Sequence, residues 1–240
     1  MMLDKKNLRR DTINDGLALY QIKNGLLFGT DALLLADFIC AERMGKYKSA
    51  LEFGAGSGVI SLLLAQRDKI SRIYAVEIQQ IYAELAKYNV EENKLTERIE
   101  IICGDLKGDL ALPVHSRSIH SHSMDMVFTN PPYIKYTDDN SGMSGMLSEL
   151  DHKNIARREI MCTVDDVLKA AARYLKNGGD FYIVYRPDRF QSLFTAMVSH
   201  NITPKKIAFV YADKSANANL VLVKGRQGAG EGLTVRNIYI

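Results

Sequence analysis

The chain has 240 residues and a formal net charge of +3, with 47% of its residues hydrophobic and 25% charged. That is enough apolar material for one α/β domain, and too little net charge for composition alone to announce a nucleic-acid binder. The longest apolar run, residues 32–41, is interrupted by Asp37 and is too short to cross a bilayer. The opening Met-Met-Leu-Asp-Lys-Lys leads into no apolar signal-peptide core. Cys40, Cys103 and Cys162 lie far apart and form no CxxC pair, so reduced thiols of a cytoplasmic protein are expected, without a structural metal. Nothing in the sequence sets the oligomeric state, and a monomer is compatible with it.

In chain order, residues 18–22 and 26–28 flank Lys23-Asn24-Gly25, a hairpin signal. Gly29-Thr30-Asp31 then offers N-cap chemistry to a helix over 32–42. Strands are expected at 50–53, 72–78, 99–103, 124–129, 180–185, 207–211 and 220–224, and helices at 58–67, 80–93, 164–176 and 188–200. Several of the strands are continuous apolar runs, as strands covered on both faces must be. Strand–helix alternation of this kind predicts an α/β fold with a doubly wound, mostly parallel, seven-stranded sheet. Only a turn separates the last two strands, which are expected to pair antiparallel at the edge. Residues 1–45 read as a short hairpin-and-helix extension, and 46–240 as the core of a single domain. Residues 113–123 and 135–151 read as long loops. His115, His120 and His122 fall in the first of them, where a solvated loop accounts for them better than a metal site.

Leu51-Glu52-Phe53-Gly54-Ala55-Gly56-Ser57-Gly58 joins a buried strand to a helix. So tight a turn needs glycines where a Cβ would collide with a ligand, and the helix start behind it presents free N–H groups. Val59 stands where the dinucleotide fingerprint G-x-G-x-x-G has its last glycine, which counts against NAD. Glu52 would repel a pyrophosphate but suits a cofactor carrying an ammonium group. Glu77 ends the next strand, nineteen residues past Gly58, where a carboxylate takes both hydroxyls of a ribose. Asp105 follows the third strand and is suited to accept from an adenine amino group. Any one of these acids is equally a helix cap or a surface charge; three at successive strand ends point to an adenosyl cofactor.

The fourth strand runs into Asn130-Pro131-Pro132-Tyr133. Two prolines after a buried strand remove N–H donors and lock the backbone extended, so the Asn130 side chain and the Pro131 carbonyl present two rigid acceptors to one NH2 group. A plain strand-ending turn would use the same residues.

With this motif the chain resembles the Rossmann-like, class I amino-methyltransferases, marked by (Asn/Asp/Ser)-Pro-Pro-(Tyr/Phe). Within them it is similar to the bacterial tRNA adenine-N6 methyltransferases that act beside the anticodon of a valine tRNA. The similarity runs through residues 28–35, 52–58, 130–133, 155–159 and 218–223. The Ser/His-rich loop after Leu112 is longer than the family pattern. The resemblance implies S-adenosyl-L-methionine as cofactor, held by Phe28, Thr30, Asp31, Glu52, Gly54, Ala55, Gly56, Gly58, Glu77, Ile78, Asp105, Leu106 and Asn130. It implies catalysis by Asn130, Pro131, Pro132 and Tyr133, the tyrosine stacking on an extruded base. It implies the anticodon loop of tRNA as partner, with Arg157, Arg158, Lys205 and Lys206 as phosphate contacts. Residues 201–240 carry six Lys/Arg against two acids, an excess that charge alone assigns to a solvated polar face before a phosphate-binding one. Two alternatives share the chemistry: a guanine amine in ribosomal RNA, or a glutamine amide in a protein. A third is a cofactor-binding RNA module without activity, against which the intact Asn130–Tyr133 motif argues.

Overall fold

The computed structural model describes residues 3–13, 16–25, 27–42, 45–108, 120–131, 162–214 and 216–240. Its centre is an eight-stranded sheet made of β3 (Tyr47–Phe53), β4 (Ile70–Glu77), β5 (Ile99–Cys103), β6 (Met124–Thr129), β7 (Leu175–Tyr185), β8 (Ile202–Tyr211), β9 (Leu220–Gln227) and β10 (Thr234–Tyr239). The strand order is β10-β8-β9-β7-β6-β3-β4-β5. All pairs are parallel except those that β9 makes with β7 and β8.

All seven expected strands form, and two details differ. The reversed strand β9 lies inside the sheet, not at its edge. Its apolar run explains why: Val221 and Val223 enter the core on one face while Leu222 enters the core on the other. The eighth strand, β10, adds the edge beyond β8. Its Thr-Val-Arg-Asn-Ile-Tyr is mostly exposed and only Ile238 packs on the core, so no apolar run announced it.

The helices cover both faces. On one side α1 (Thr30–Glu42), α2 (Val59–Gln66) and α3 (Gln80–Glu92) bury Leu35, Leu62 and Ala86 against Ala75, Phe128 and Tyr182. On the other, α4 (Val164–Tyr174) and α5 (Phe190–Ser199) bury Leu168 and Leu193 against Leu51, Val127 and Ile183. A capping box starts α4, with Thr163 and Asp166 exchanging side chain-to-backbone bonds.

The N-terminal hairpin pairs β1 (Leu8–Thr12) with β2 (Ala18–Ile22). This corrects the expected partner for β2, which was residues 26–28. Lys23-Asn24-Gly25 does form a turn, closed by a 2.9 Å bond from Gly25 N to Ile22 O, but it leads towards α1. The true partner, Leu-Arg-Arg-Asp-Thr, is polar and shows no alternation. Leu3, Leu8, Tyr20 and Ile22 pack the hairpin against Ile81, Tyr82 and Leu85 at the start of α3.

Beneath the C-terminal half of the sheet two buried carboxylates sit among cations. Asp180 accepts from Tyr47 Oη at 2.7 Å and Arg226 Nε at 2.8 Å, and lies 3.3 Å from Lys224 Nζ. Burial opposes its ionisation, but the Arg226 and Tyr47 bonds and the Lys224 charge outweigh that and hold it below the usual carboxylate range. Glu42, at the end of α1, pairs with Lys206 at 2.5 Å and Arg236 at 3.4 Å.

Candidate active site

Register sets the site. Ile102, Val76, Phe53, Thr129 and Ile183 are successive partners across β5, β4, β3, β6 and β7, so the next residues of all five strands emerge along one edge. Ligands of open α/β sheets bind at this carboxyl edge. Thr129 reinforces the alignment, its Oγ1 donating 2.9 Å to Phe53 O.

After β3 the chain turns through Gly54, Gly56 and Gly58, with φ of +69°, +55° and +80°. These left-handed values are strained for any residue with a Cβ. At Gly54 and Gly56 a Cβ would meet no atom within 4 Å, so the loop faces open space; at Gly58 it would meet Ala86 of α3 at 3.4 Å. Gly54 N and Ala55 N both bond Val76 O, which ties the loop to the end of β4. Gly58 begins α2, whose first-turn N–H groups point back to the edge.

Glu77 reaches into this loop. Its carboxylate accepts from Gly56 N and Gln79 N, each at 2.9 Å. Burial raises its pKa, and the backbone bonds from Gln79 and Gly56 only partly offset the rise. Glu52 is 1% exposed and accepts from the Ser61 hydroxyl of α2. Burial, with the Ser61 bond opposing it and Glu77 adding repulsion, pushes Glu52 up to about 8. The edge therefore holds two desolvated carboxylates with no cation beside them among the described residues. A ligand offering hydroxyls and an ammonium fits that need.

Asp105 follows β5 and is exposed, its Oδ1 accepting from Lys107 N at 2.9 Å. Leu106 packs on the core beside it and Ile78 is exposed after Glu77. Phe28 packs on the core with its N–H on Gln21 Oε1 (3.0 Å), Thr30 is exposed at the first residue of α1, and Asp31 caps Ala32 N at 2.9 Å. Asn130 is half-buried and Pro131 buried, directly after Thr129 and thus alongside Gly54. Pro132, Tyr133, Arg157 and Arg158 lie outside the described residues, as do the blocks 135–151 and 155–159 and most of 113–123.

The two C-terminal lysines are engaged within the chain. Lys205 Nζ donates to Gly230 O and Glu231 O (3.2 and 3.0 Å), and Lys206 pairs with Glu42. Ser61 and Thr129 were not singled out from the sequence, because a hydroxyl inside an apolar helix or strand has no distinctive pattern. Their signal is positional: Ser61 lies nine residues after Glu52, and Thr129 directly precedes Asn130.

A Rossmann-like methyltransferase is the class that this sheet order, glycine loop and acid-lined edge define. The methyltransferase small domain family matches residues 25–148. A tRNA1(Val) (adenine(37)-N6)-methyltransferase of Dyadobacter fermentans is 30% identical over 88% of this chain and 80% of its own length. One of the same name from Bacteroides fragilis is 26% identical, over 84% and 77%. The chain belongs to the methyltransferase small domain family, in the group of the tRNA1(Val) (adenine(37)-N6)-methyltransferases. Among solved structures, one titled a predicted O-methyltransferase of Agrobacterium tumefaciens superposes with a TM-score of 0.63 at 21% identity, covering 88% of this chain and 86% of its own. The tRNA m1G37 methyltransferase of M. jannaschii gives 0.59 at 15%, covering 95% and 59%. At these identities both speak for the fold alone.

Proposed function

We propose that this chain transfers the methyl group of S-adenosylmethionine to N6 of an adenine in tRNA, with the adenine beside the anticodon of a valine tRNA as acceptor. The observation that carries the reading is the juxtaposition of Asn130-Pro131 with the glycine loop, set by the Phe53–Thr129 pairing. Relatives across the chain's length carry the name of this activity. Cytoplasm, where tRNA is found, is the proposed compartment; no helix among the described residues is long and apolar enough to cross a membrane.

The cofactor fits the residues present. Gly54 and Gly56 leave space that side chains would fill, Glu77 suits the ribose hydroxyls, and Glu52 suits the ammonium side of the pocket. Asp105 and Leu106 would flank the adenine, and Phe28, Thr30, Asp31 and Ile78 would close the pocket. When bound, the sulfonium supplies an electrophilic methyl group. The chain's own task is to make an aromatic amine nucleophilic. Its lone pair is delocalised into the ring, and the Asn130 side-chain oxygen and Pro131 carbonyl, accepting its two hydrogens, favour a tetrahedral nitrogen with the lone pair directed at the methyl. Tyr133 would stack on the extruded base, and a single-stranded loop makes extrusion cheap. No strong base is required, because the methylated ammonium releases its proton to water.

The test is methyl transfer from labelled cofactor to unmodified tRNA, followed by nucleoside analysis. N6-methyladenosine is expected; label in N2-methylguanosine or on protein would reassign the acceptor. Asn130→Ala should lower single-turnover transfer by about 10²-fold or more, a larger loss than any it causes in cofactor affinity. Transfer at the wild-type rate would reduce Asn130 to a turn residue.

A further inference from the structure

One edge of β2 is paired with β1, and the other carries no strand among the described residues. The bonds Lys23 N to Asn7 O and Ile13 N to Leu17 O set the phase, so residues 17, 19, 21 and 23 face β1. The N–H and C=O groups of Ala18 and Tyr20 therefore point the other way. Two asparagines, Asn89 of α3 and Asn93 at its C-cap, close that edge as a third strand would. Asn89 Oδ1 accepts from Tyr20 N at 2.7 Å and its Nδ2 donates to Tyr20 O at 3.0 Å. Asn93 does the same for Ala18, at 2.9 and 2.7 Å. The spacing matches: four helical residues advance about 6 Å, and two strand residues about 6.8 Å.

The two asparagines differ in their remaining N–H. Asn93 directs its own at Asn89 O, 2.8 Å away within α3. Asn89 directs its own at Ser57 O, 2.9 Å away in the glycine loop. One fully buried side chain thus touches both the hairpin and the loop. Ser57 lies between Gly56 and Gly58, both left-handed, where the backbone has little intrinsic stiffness.

We propose that Asn89 is a positioning residue: through Ser57 it holds the glycine loop in its cofactor-binding shape, and it makes that shape depend on the docked hairpin. This rests on the reading of residues 54–58 as the cofactor loop. Linkage then makes the dependence reciprocal, and cofactor binding protects the hairpin by the factor that hairpin docking strengthens binding.

The test combines hydrogen exchange at the Tyr20 and Ala18 amides, with and without S-adenosylmethionine, and calorimetry on three chains. In the wild type the cofactor should slow exchange at Tyr20. Asn89→Asp keeps the acceptor for Tyr20 N but loses both donors; it should raise the cofactor Kd about tenfold, the worth of one buried hydrogen bond, and abolish that protection. Asn93→Leu should speed exchange at Ala18 yet leave the Kd within about twofold. The wild-type experiment needs no variant to fold: cofactor binding without any change at Tyr20 overturns the proposal. So do Kd changes in both variants that merely follow their loss of stability. A wild-type chain that binds no S-adenosylmethionine would fell the cofactor reading itself, a different and recognisable failure.

Discussion

Glu52 and Glu77 are buried near the carboxyl edge of the sheet, beside the glycine loop, Asp180 and Glu42 beneath its C-terminal half, and the two pairs have opposite surroundings. Around Glu52 and Glu77 the described residues supply only a hydroxyl and backbone N–H groups, and both carboxyls are held above their ordinary range. Around Asp180 and Glu42 stand Lys224, Arg226, Lys206 and Arg236, and Asp180 is held below its range. A buried charge must be neutralised or paired. The second pair finds its partners within the chain. The first finds no cationic partner among the described residues, which sets it apart from a structural ion-pair network more sharply than burial does.

Asp180→Ala should have the largest effect on stability. It strands the buried Lys224 ammonium, a loss of about 3 kcal/mol or more in urea unfolding, with cofactor affinity unchanged. If Asp180→Ala instead altered cofactor binding at constant stability, the division between the two ends would collapse. Glu77→Ala should do the reverse, weakening S-adenosylmethionine by about 1–3 kcal/mol in calorimetry with little change in unfolding. Unchanged affinity in a folded variant would remove Glu77 from the site.

The third effect concerns pH. The Glu52 carboxyl titrates near 8 when folded against an ordinary 4.5, so its burial costs least at low pH, where both states are protonated. Between those values the unfolded chain releases a proton that the folded chain keeps, and stability falls as pH rises. Glu52→Gln should remove this slope from the melting temperature between pH 5 and 8, relative to wild type. Parallel curves for the two chains would show that Glu52 is ionised in the fold.

What the sequence revealed follows from where the apolar residues lie. Strands covered on both faces, such as Val127-Phe128 and Val221-Leu222-Val223, announce themselves as runs, and the glycine loop and Asn130-Pro131 announce themselves as punctuation at strand ends. The polar strand β1 and the exposed strand β10 are held by backbone pairing with almost no side-chain pattern, and so escaped notice. Asn89 and Asn93 escaped for a related reason. Their spacing is legible, but its meaning depends on a strand seventy residues upstream. The lysines at 205 and 206 were conspicuous as charge, yet their partners, Glu42 and the carbonyls of 230–231, come from parts of the chain that charge counting does not connect.

The reversal of β9 gives the molecule two kinds of chain connection with separate consequences. β9 begins beside the end of β8, where Asn219 N meets Val210 O, at the carboxyl edge of the sheet. The next connection, Gly228–Gly232, turns over at the opposite end of the sheet, where Gly228 N meets Asn201 O. Length added in the first extends the carboxyl edge of the sheet, the edge that also carries Asn130, whereas length added in the second extends the opposite end. Gly230, exposed and with open space where a side chain would project, is thus a place for a fluorescent or affinity label at the sheet's far end, away from Gly54 and Asn130.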